Sequence, residues 1–227
     1  MKIKLLFLFL IISFSICAFA QTKPAKKLVV INSYNQYLAS IKINPNNELV
    51  EIKKAIPSIK LDIRYATTNN FMKQVMYQQA RAFARKPVVE SLKKIQAELK
   101  KKGYGLKIFD GYRPYAVTVA FYQKASDKNF VANPAKGSKH NRGCAVDLTI
   151  IDLKTGKDLV MATPYDSFSA AAAANYMPVS SAVKKNRDFL IASMQKYNFT
   201  VLDNEWWHFD FNGWQYYALM DIPFEKL

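Results

Sequence analysis

His140 and His208 are the two histidines of this 227-residue chain. Each sits in a run suited to hold a metal: Ser138-Lys-His-Asn-Arg-Gly-Cys-Ala-Val-Asp147 and Glu205-Trp-Trp-His-Phe-Asp210. Neutral imidazole is the commonest protein ligand for zinc, and a hydrolytic zinc site takes three protein ligands while keeping one position open for water. His140, Asp147 and His208 meet that count. Gly143 permits a tight turn between the first two, and Ala145 is small enough to let a metal or substrate approach. A lone histidine reads as readily as a satisfied polar contact. Two, both in such settings, point to one shared site and to metal-assisted hydrolysis.

Other residues could complete that chemistry. Glu205, three residues before His208, is either a loop carboxylate in solvent or the base that takes a proton from the attacking water and passes it to the leaving amine. Asp210 either bonds a ligating imidazole from behind or is a charge at a strand end. Arg113, in Asp110-Gly-Tyr-Arg-Pro114, would stabilise a tetrahedral oxyanion or else form a structural salt bridge. Cys144 lacks a third histidine to activate it and reads as a small packing residue.

The elements that must position these groups can be read from periodicity. Ala145 to Ile151 alternates as a strand, with Val146, Leu148 and Ile150 on one face and Asp147 on the other. Trp206 to Phe211 is a strand that turns His208 and Asp210 away from Trp207, Phe209 and Phe211. For one site to form, these two strands must lie close together. Leu106 to Phe109 is a strand running into the Arg113 loop, where a rigid scaffold presents reactive groups. Ile59 to Tyr65 alternates as a half-buried strand. Pro87 opens a helix carrying Val88, Leu92, Ile95 and Leu99 on one face, and Gly103 stops it. Val183 to Tyr197 is a helix burying Phe189, Leu190, Met194 and Tyr197. Strands mixed with helices, without a regular βαβ rhythm, predict a single α+β domain with a mainly antiparallel central sheet, flanking helices and the metal site at the sheet. The run Ala170 to Ala174 has no assigned purpose.

Residues 1–20 read as a signal peptide: Lys2 and Lys4, an apolar Leu5 to Ile16, then Ala18-Phe19-Ala20. Residues 21–50 form a polar, weakly patterned arm, and residues 51–227 the catalytic domain. Ile16 before Cys17 is too bulky for the usual lipidation box, so release is expected over lipid anchoring. The expected product is exported, periplasmic or secreted, with no membrane span after cleavage. It holds one cysteine, Cys144, and no intrachain disulfide. The charge balance is 33 basic residues against 17 acidic, a net +16. Such an excess is either a solvated lysine-rich exterior or a means of loose association with anionic cell wall or membrane surfaces. Dispersed basic residues and export argue against nucleic acid as a partner.

Together these residues resemble the zinc D-alanyl-D-alanine dipeptidase family of the wider D-Ala-D-Ala metallopeptidase group. Its signature, Ser-x-His-x-x-Gly-x-Ala-x-Asp followed by Glu-x-x-His, is met at Ser138, His140, Gly143, Ala145, Asp147, Glu205 and His208. Asp62-Ile-Arg-Tyr-Ala-Thr-Thr-Asn-Asn-Phe71, Lys107-Ile-Phe-Asp-Gly-Tyr-Arg-Pro114 and Thr163-Pro-Tyr-Asp-Ser-Phe168 are similar to further family segments, whereas residues 72–80 match weakly. The resemblance implies one Zn2+ on His140, Asp147 and His208, Glu205 as base and Arg113 supporting the transition state. It further implies that Asp166 receives the ammonium of a small dipeptide and that Ser138 contacts substrate. The implied reaction is hydrolysis of D-alanyl-D-alanine to two D-alanines, and an exported enzyme would salvage wall-derived dipeptide. Two rivals share parts of this pattern: a carboxypeptidase or endopeptidase acting on longer wall peptides, and a non-catalytic wall-binding module. Intact Glu205 and Arg113 count against the second.

Overall fold

A computed structural model describes residues 28–227. The expected signal peptide lies outside these residues. The chain runs β1 (Val30–Ile31), α1 (Tyr34–Ile43), β2 (Leu49–Glu51), α2 (Ile52–Ala55), β3 (Lys60–Leu61), β4 (Phe83–Arg85), α3 (Lys86–Lys101), β5 (Tyr104–Asp110) and α4 (Tyr115–Lys124). It continues through β6 (Ala145–Asp152), α5 (Ser181–Gln195), β7 (Phe199–Leu202), β8 (Glu205–Phe211) and β9 (Leu219–Met220). No helix among the described residues is long and apolar enough to cross a membrane.

The central sheet has the order β3-β5-β6-β8-β7. Its β3–β5 edge is parallel and every other pairing is antiparallel. This is the expected α+β architecture. β6 lies between β5 and β8 and is buried on both faces, which suits its near-continuous apolar run. Helix α3 packs along the sheet through Val88, Leu92, Ile95 and Leu99, all buried, with Pro87 in its first turn. Gly103 follows it at φ 82°, a conformation that favours glycine. Helix α5 buries Leu190 and Met194, while Phe189 and Tyr197 are only partly covered.

Two elements differ from the sequence reading. In the Ile59–Tyr65 run only Lys60 and Leu61 pair with β5. The amide of Asp62 bonds the Ile108 carbonyl at 2.8 Å, and the chain then coils into a 3-10 turn at Arg64–Ala66. Ile59, Ile63 and Tyr65 are nonetheless buried, so the alternation recorded burial without a full strand. Residues 28–50 are also more ordered than an unpatterned arm: β1 pairs with β9, β2 pairs with β4, and α1 lies between them. Tyr37 is the single buried residue of α1, too few for a helical stripe to stand out. Its hydroxyl accepts from the Leu49 amide at 2.8 Å and ties the segment to the domain.

Candidate metal centre and active site

The site begins with adjacent strands. β6 and β8 pair so that Asp147 lies directly opposite His208, and Ala145 opposite Asp210. Antiparallel pairing sets opposed side chains on the same face about 5 Å apart, which is how two distant segments meet. His140 arrives from a 3-10 turn, His140–Arg142, closed by Gly143 at φ 68°. A Cβ on Gly143 would sit 2.6 Å from Leu49 Cδ2, so a larger residue would have to displace that side chain as well as hold a left-handed backbone. Asn141, fully buried, fixes the turn: its carbonyl oxygen accepts from the Ser138 amide at 2.8 Å. Its amide nitrogen donates to the Arg113 carbonyl at 2.9 Å and to Thr118 Oγ1 at 2.8 Å.

The loop after β5 is fixed just as tightly. Gly111 runs so close to β4 that a Cβ would lie 2.5 Å from the Phe83 carbonyl oxygen. The Arg113 amide donates to the His140 carbonyl at 3.1 Å, joining this loop to the histidine turn. The Arg113 guanidinium donates twice to Asp110 Oδ2, at 3.0 and 2.7 Å, and lies over the Phe121 ring with Cζ 4.7 Å from its centroid. Burial is the largest single influence and works against its charge, but Asp110, Tyr77, Tyr65 and Asp147 together outweigh it and raise its pKa further. Its Nη2 stands 4.0 Å from Asp147 Oδ2.

His140, Asp147 and His208 converge, all buried. His140 Nε2, His208 Nδ1 and Asp147 Oδ1 form a triangle with sides of 3.1, 3.0 and 3.3 Å. Ligands about 2.0–2.1 Å from a tetrahedral zinc are about 3.3–3.4 Å apart, so the triangle is nearly the size of one face of such a site. The other atom of each side chain is held from behind. His140 Nδ1 donates to the Gly111 carbonyl at 2.7 Å and His208 Nε2 to Asp210 Oδ1 at 3.0 Å. Tyr165 Oη donates to Asp147 Oδ2 at 3.1 Å. These bonds turn the remaining atom of each group toward the shared point.

The electrostatics favour a cation at that point. Burial would raise the Asp147 carboxyl, but the two imidazoles outweigh it and hold the group well below the usual carboxylate range. Burial disfavours a charged His208, yet Asp147 and Asp210 together raise it to about 10. The same two carboxylates that attract a proton to this ring would attract a metal ion in its place.

Glu205 opens β8 and is drawn toward His208 by an irregularity in the sheet. Val201 pairs with Phe209 while the next residue, Leu202, pairs with Glu205, so Trp206, Trp207 and His208 bulge from the β7–β8 ladder. In a regular strand residues three apart face opposite ways; here Glu205 Oε2 lies 3.8 Å from His208 Nδ1, outside the converging triangle. Burial pushes its carboxyl up to about 7. Asp166 adopts φ 65°, a left-handed conformation that aspartate tolerates better than most side chains. Tyr65 Oη donates to its carboxylate at 3.1 and 3.2 Å. Burial, then the charge of Asp147, pushes Asp166 up to about 6.

Of the residues singled out from the sequence, Arg113, Ser138, His140, Asp147, Asp166, Glu205 and His208 line one cavity of about 420 Å³, while Asp210 stands behind His208. Ser138 Oγ accepts from the His140 amide at 3.2 Å. The cavity's apolar walls include Phe71, Phe121, Phe130 and Phe168. Sequence reasoning missed Asn141, Asp110 and Tyr165 as positioning groups. Asp110, three residues before Arg113 in the same loop, and Tyr165, next to Asp166, stood inside segments already singled out. Asn141 also stood inside such a segment, next to His140, but two of its three bonds reach the Arg113 loop and α4, which local spacing does not show. Cys144 is a buried free thiol whose pKa burial raises to about 12, which suits a packing role.

The chain matches the family model described as D-ala-D-ala dipeptidase over residues 45–222. It is 31% identical over 182 residues to the D-alanyl-D-alanine dipeptidase of Escherichia coli K12, covering 80% of this chain and 94% of that one. To the D-alanyl-D-alanine dipeptidase of Enterococcus faecalis V583 it is 26% identical over 201 residues, 78% of this chain and 94% of that one. A solved structure of the LD-carboxypeptidase LdcB is 22% identical with a TM-score of 0.38, over 59% of this chain and 61% of that one. With the family model spanning most of the domain and its relatives matched almost end to end, this chain belongs to the D-Ala-D-Ala dipeptidase family of metallopeptidases.

Proposed function

We propose that the protein hydrolyses D-alanyl-D-alanine to two D-alanines with one zinc ion held by His140, Asp147 and His208. Two imidazoles and a carboxylate at tetrahedral spacing form a donor set suited to zinc. When bound, zinc activates water and polarises the scissile carbonyl. Glu205, with a carboxyl near neutrality and close to His208, accepts the proton of the attacking water and delivers it to the leaving amine. Arg113, already fixed by Asp110, offers its guanidinium to the oxyanion without having to reorganise. Ser138 contacts the substrate from the histidine turn.

The observation that carries the dipeptide assignment is the Asp166 carboxylate, which lines the same cavity as the three-residue cluster and is desolvated enough for its pKa to rise to about 6. A free dipeptide brings an ammonium close to its scissile bond, and a carboxylate in a desolvated cavity pairs with it strongly. A blocked or peptide-linked amino end leaves that carboxylate unpaired. The test is product analysis of zinc-reconstituted protein with D-Ala-D-Ala, N-acetyl-D-Ala-D-Ala and a wall pentapeptide. The free dipeptide should be cleaved far faster than the other two, and Asp166→Ala should erode the preference while zinc stays bound. Equal kcat/KM for free and blocked dipeptides would instead favour a carboxypeptidase. We further propose that the enzyme is exported, acts on wall-derived dipeptide, and associates loosely with anionic surfaces through its net charge of +16.

A further inference from the structure

A second cavity, of about 410 Å³, lies behind Tyr165. Strand β6 serves both cavities: Asp147 reaches the first, and Thr149, two residues on and on the same face, lines the second. Tyr165 stands between them. Its hydroxyl bonds Asp147, while its ring stacks on Phe109 with centroids 4.3 Å apart at 12° and forms a wall of the second cavity. Nothing in the proposed reaction uses this space.

Its polar groups are few and unequal. Thr149 Oγ1 is buried and has no hydrogen-bond partner among the described residues. A buried hydroxyl left in that state is unfavourable unless a ligand or water completes it. Arg64 lies over the aromatic wall, with Cζ 5.7 Å from the centroids of both Phe109 and Tyr165. Its bond to Asp62 is a single long one from Nε, 3.4 Å, and its two terminal nitrogens make no protein hydrogen bond among the described residues. The remaining polar groups are already engaged. Trp206 Nε1 donates to Thr163 Oγ1 at 3.0 Å, and the Asp158 carboxylate accepts from Lys107 at 2.6 Å.

From this we infer that the second cavity is a binding site for a small aliphatic carboxylate, of the size of a short fatty acid or an amino acid. The guanidinium offers a planar pair of donors matched to a carboxylate, and the Thr149 hydroxyl offers another. Phe109, Tyr165, Leu159 and Met161 provide the apolar surface for a short body. A cationic ligand would face the Arg64 guanidinium, and the Asp158 carboxylate that could balance it is already paired with Lys107. Because Tyr165 lines this cavity and its hydroxyl bonds Asp147, which lines the first, a bound carboxylate also fixes the ring that steadies Asp147.

The test is calorimetric titration of the full mature protein, with its metal, using propionate and, as the charge control, n-propylamine. Propionate should bind saturably in the millimolar range and n-propylamine should not. Thr149→Val, which keeps the shape and removes the hydroxyl, and Arg64→Gln should each weaken propionate at least about tenfold, the loss of one charge-assisted or fully buried contact. Arg64 is partly exposed, so its variant keeps the test decisive if Thr149→Val fails to fold. Thermal unfolding gives a second readout: Thr149→Val should melt no lower than the parent without propionate and should lose the upward shift that propionate gives the parent. Propionate binding that both variants leave intact would assign it to the metal cluster and overturn the inference, as would the absence of saturable binding in the parent.

Discussion

Asp210 offers the sharpest way to separate support of the proposed metal site from the site itself. Its Oδ1 accepts from His208 Nε2 at 3.0 Å, and its Oδ2 lies 2.5 Å from Lys139 Nζ. Burial would raise the Asp210 carboxyl, but His208 and then Lys139 outweigh it, so the group stays ionised. The bond to His208 has two effects. It keeps the proton on Nε2, leaving the Nδ1 lone pair facing Asp147 and His140, and it makes the imidazole a better donor to a metal. Loss of such a partner typically weakens metal affinity 10- to 100-fold, about 1.4–2.8 kcal/mol. The structure divides that range. Asp210→Asn retains an acceptor oxygen and loses only the charge, part of which Lys139 already balances, so its effect should be near tenfold. Asp210→Ala leaves a buried Nε2–H without its partner and should approach a hundredfold. Lys139→Ala has the opposite sign: removing the ammonium leaves the carboxylate more basic toward His208, so zinc should bind equally well or more tightly. Competition against a chromophoric zinc chelator measures all three, with thermal unfolding of the metal-free variants as the control for folding. Zinc affinity in Asp210→Ala within about twofold of the parent would refute the reasoning, because it would mean that the Asp210 bond does not orient His208.

Glu205→Gln should retain zinc and lose most of kcat, since the proposed base lies outside the converging triangle; loss of metal would make Glu205 a ligand. Arg113→Ala should lower kcat by about 10²–10³ with a smaller effect on KM, as for removal of one oxyanion donor, and an effect confined to KM would make it a ground-state clamp. Asp166 must be ionised to pair with an ammonium, so KM for D-Ala-D-Ala should rise as pH falls through about 6, the value to which burial raises this carboxyl; a KM flat across that range would contradict the pairing. Cys144, with a thiol pushed up to about 12 and no exposed surface, should react with thiol reagents at neutral pH only after unfolding, as followed by mass spectrometry.

The site was more legible than the scaffold that holds it. Two histidines in a chain so poor in them, each beside acids at fixed spacing, are a local signal, and the closeness of β6 and β8 then follows from the need to bring Asp147 and His208 together, their direct antiparallel pairing being visible only in the structure. Helix α3 was readable for a related reason: one face packs on one sheet, so its apolar residues recur at regular spacing. What local patterns do not carry are bonds between segments far apart in sequence. Asn141 fixes the histidine turn through the Arg113 loop, and the pairing of β1 with β9 joins residues nearly two hundred positions apart. The Ile59–Tyr65 run shows the complementary error. Its alternation reports which residues are buried, and a short parallel contact followed by a tight turn buries them as well as a long strand would. The turn serves the site, because Tyr65 leaves the sheet edge and reaches Asp166 with its hydroxyl.

The measurement that tests the central proposal most directly is metal analysis of the purified mature protein coupled to its turnover of D-Ala-D-Ala. One zinc per chain is expected, with turnover abolished by chelation and restored by stoichiometric zinc. His140→Ala and His208→Ala should carry no zinc and release no D-alanine. Undiminished turnover by chelated, zinc-free protein, or full zinc occupancy in the double variant, would contradict the account.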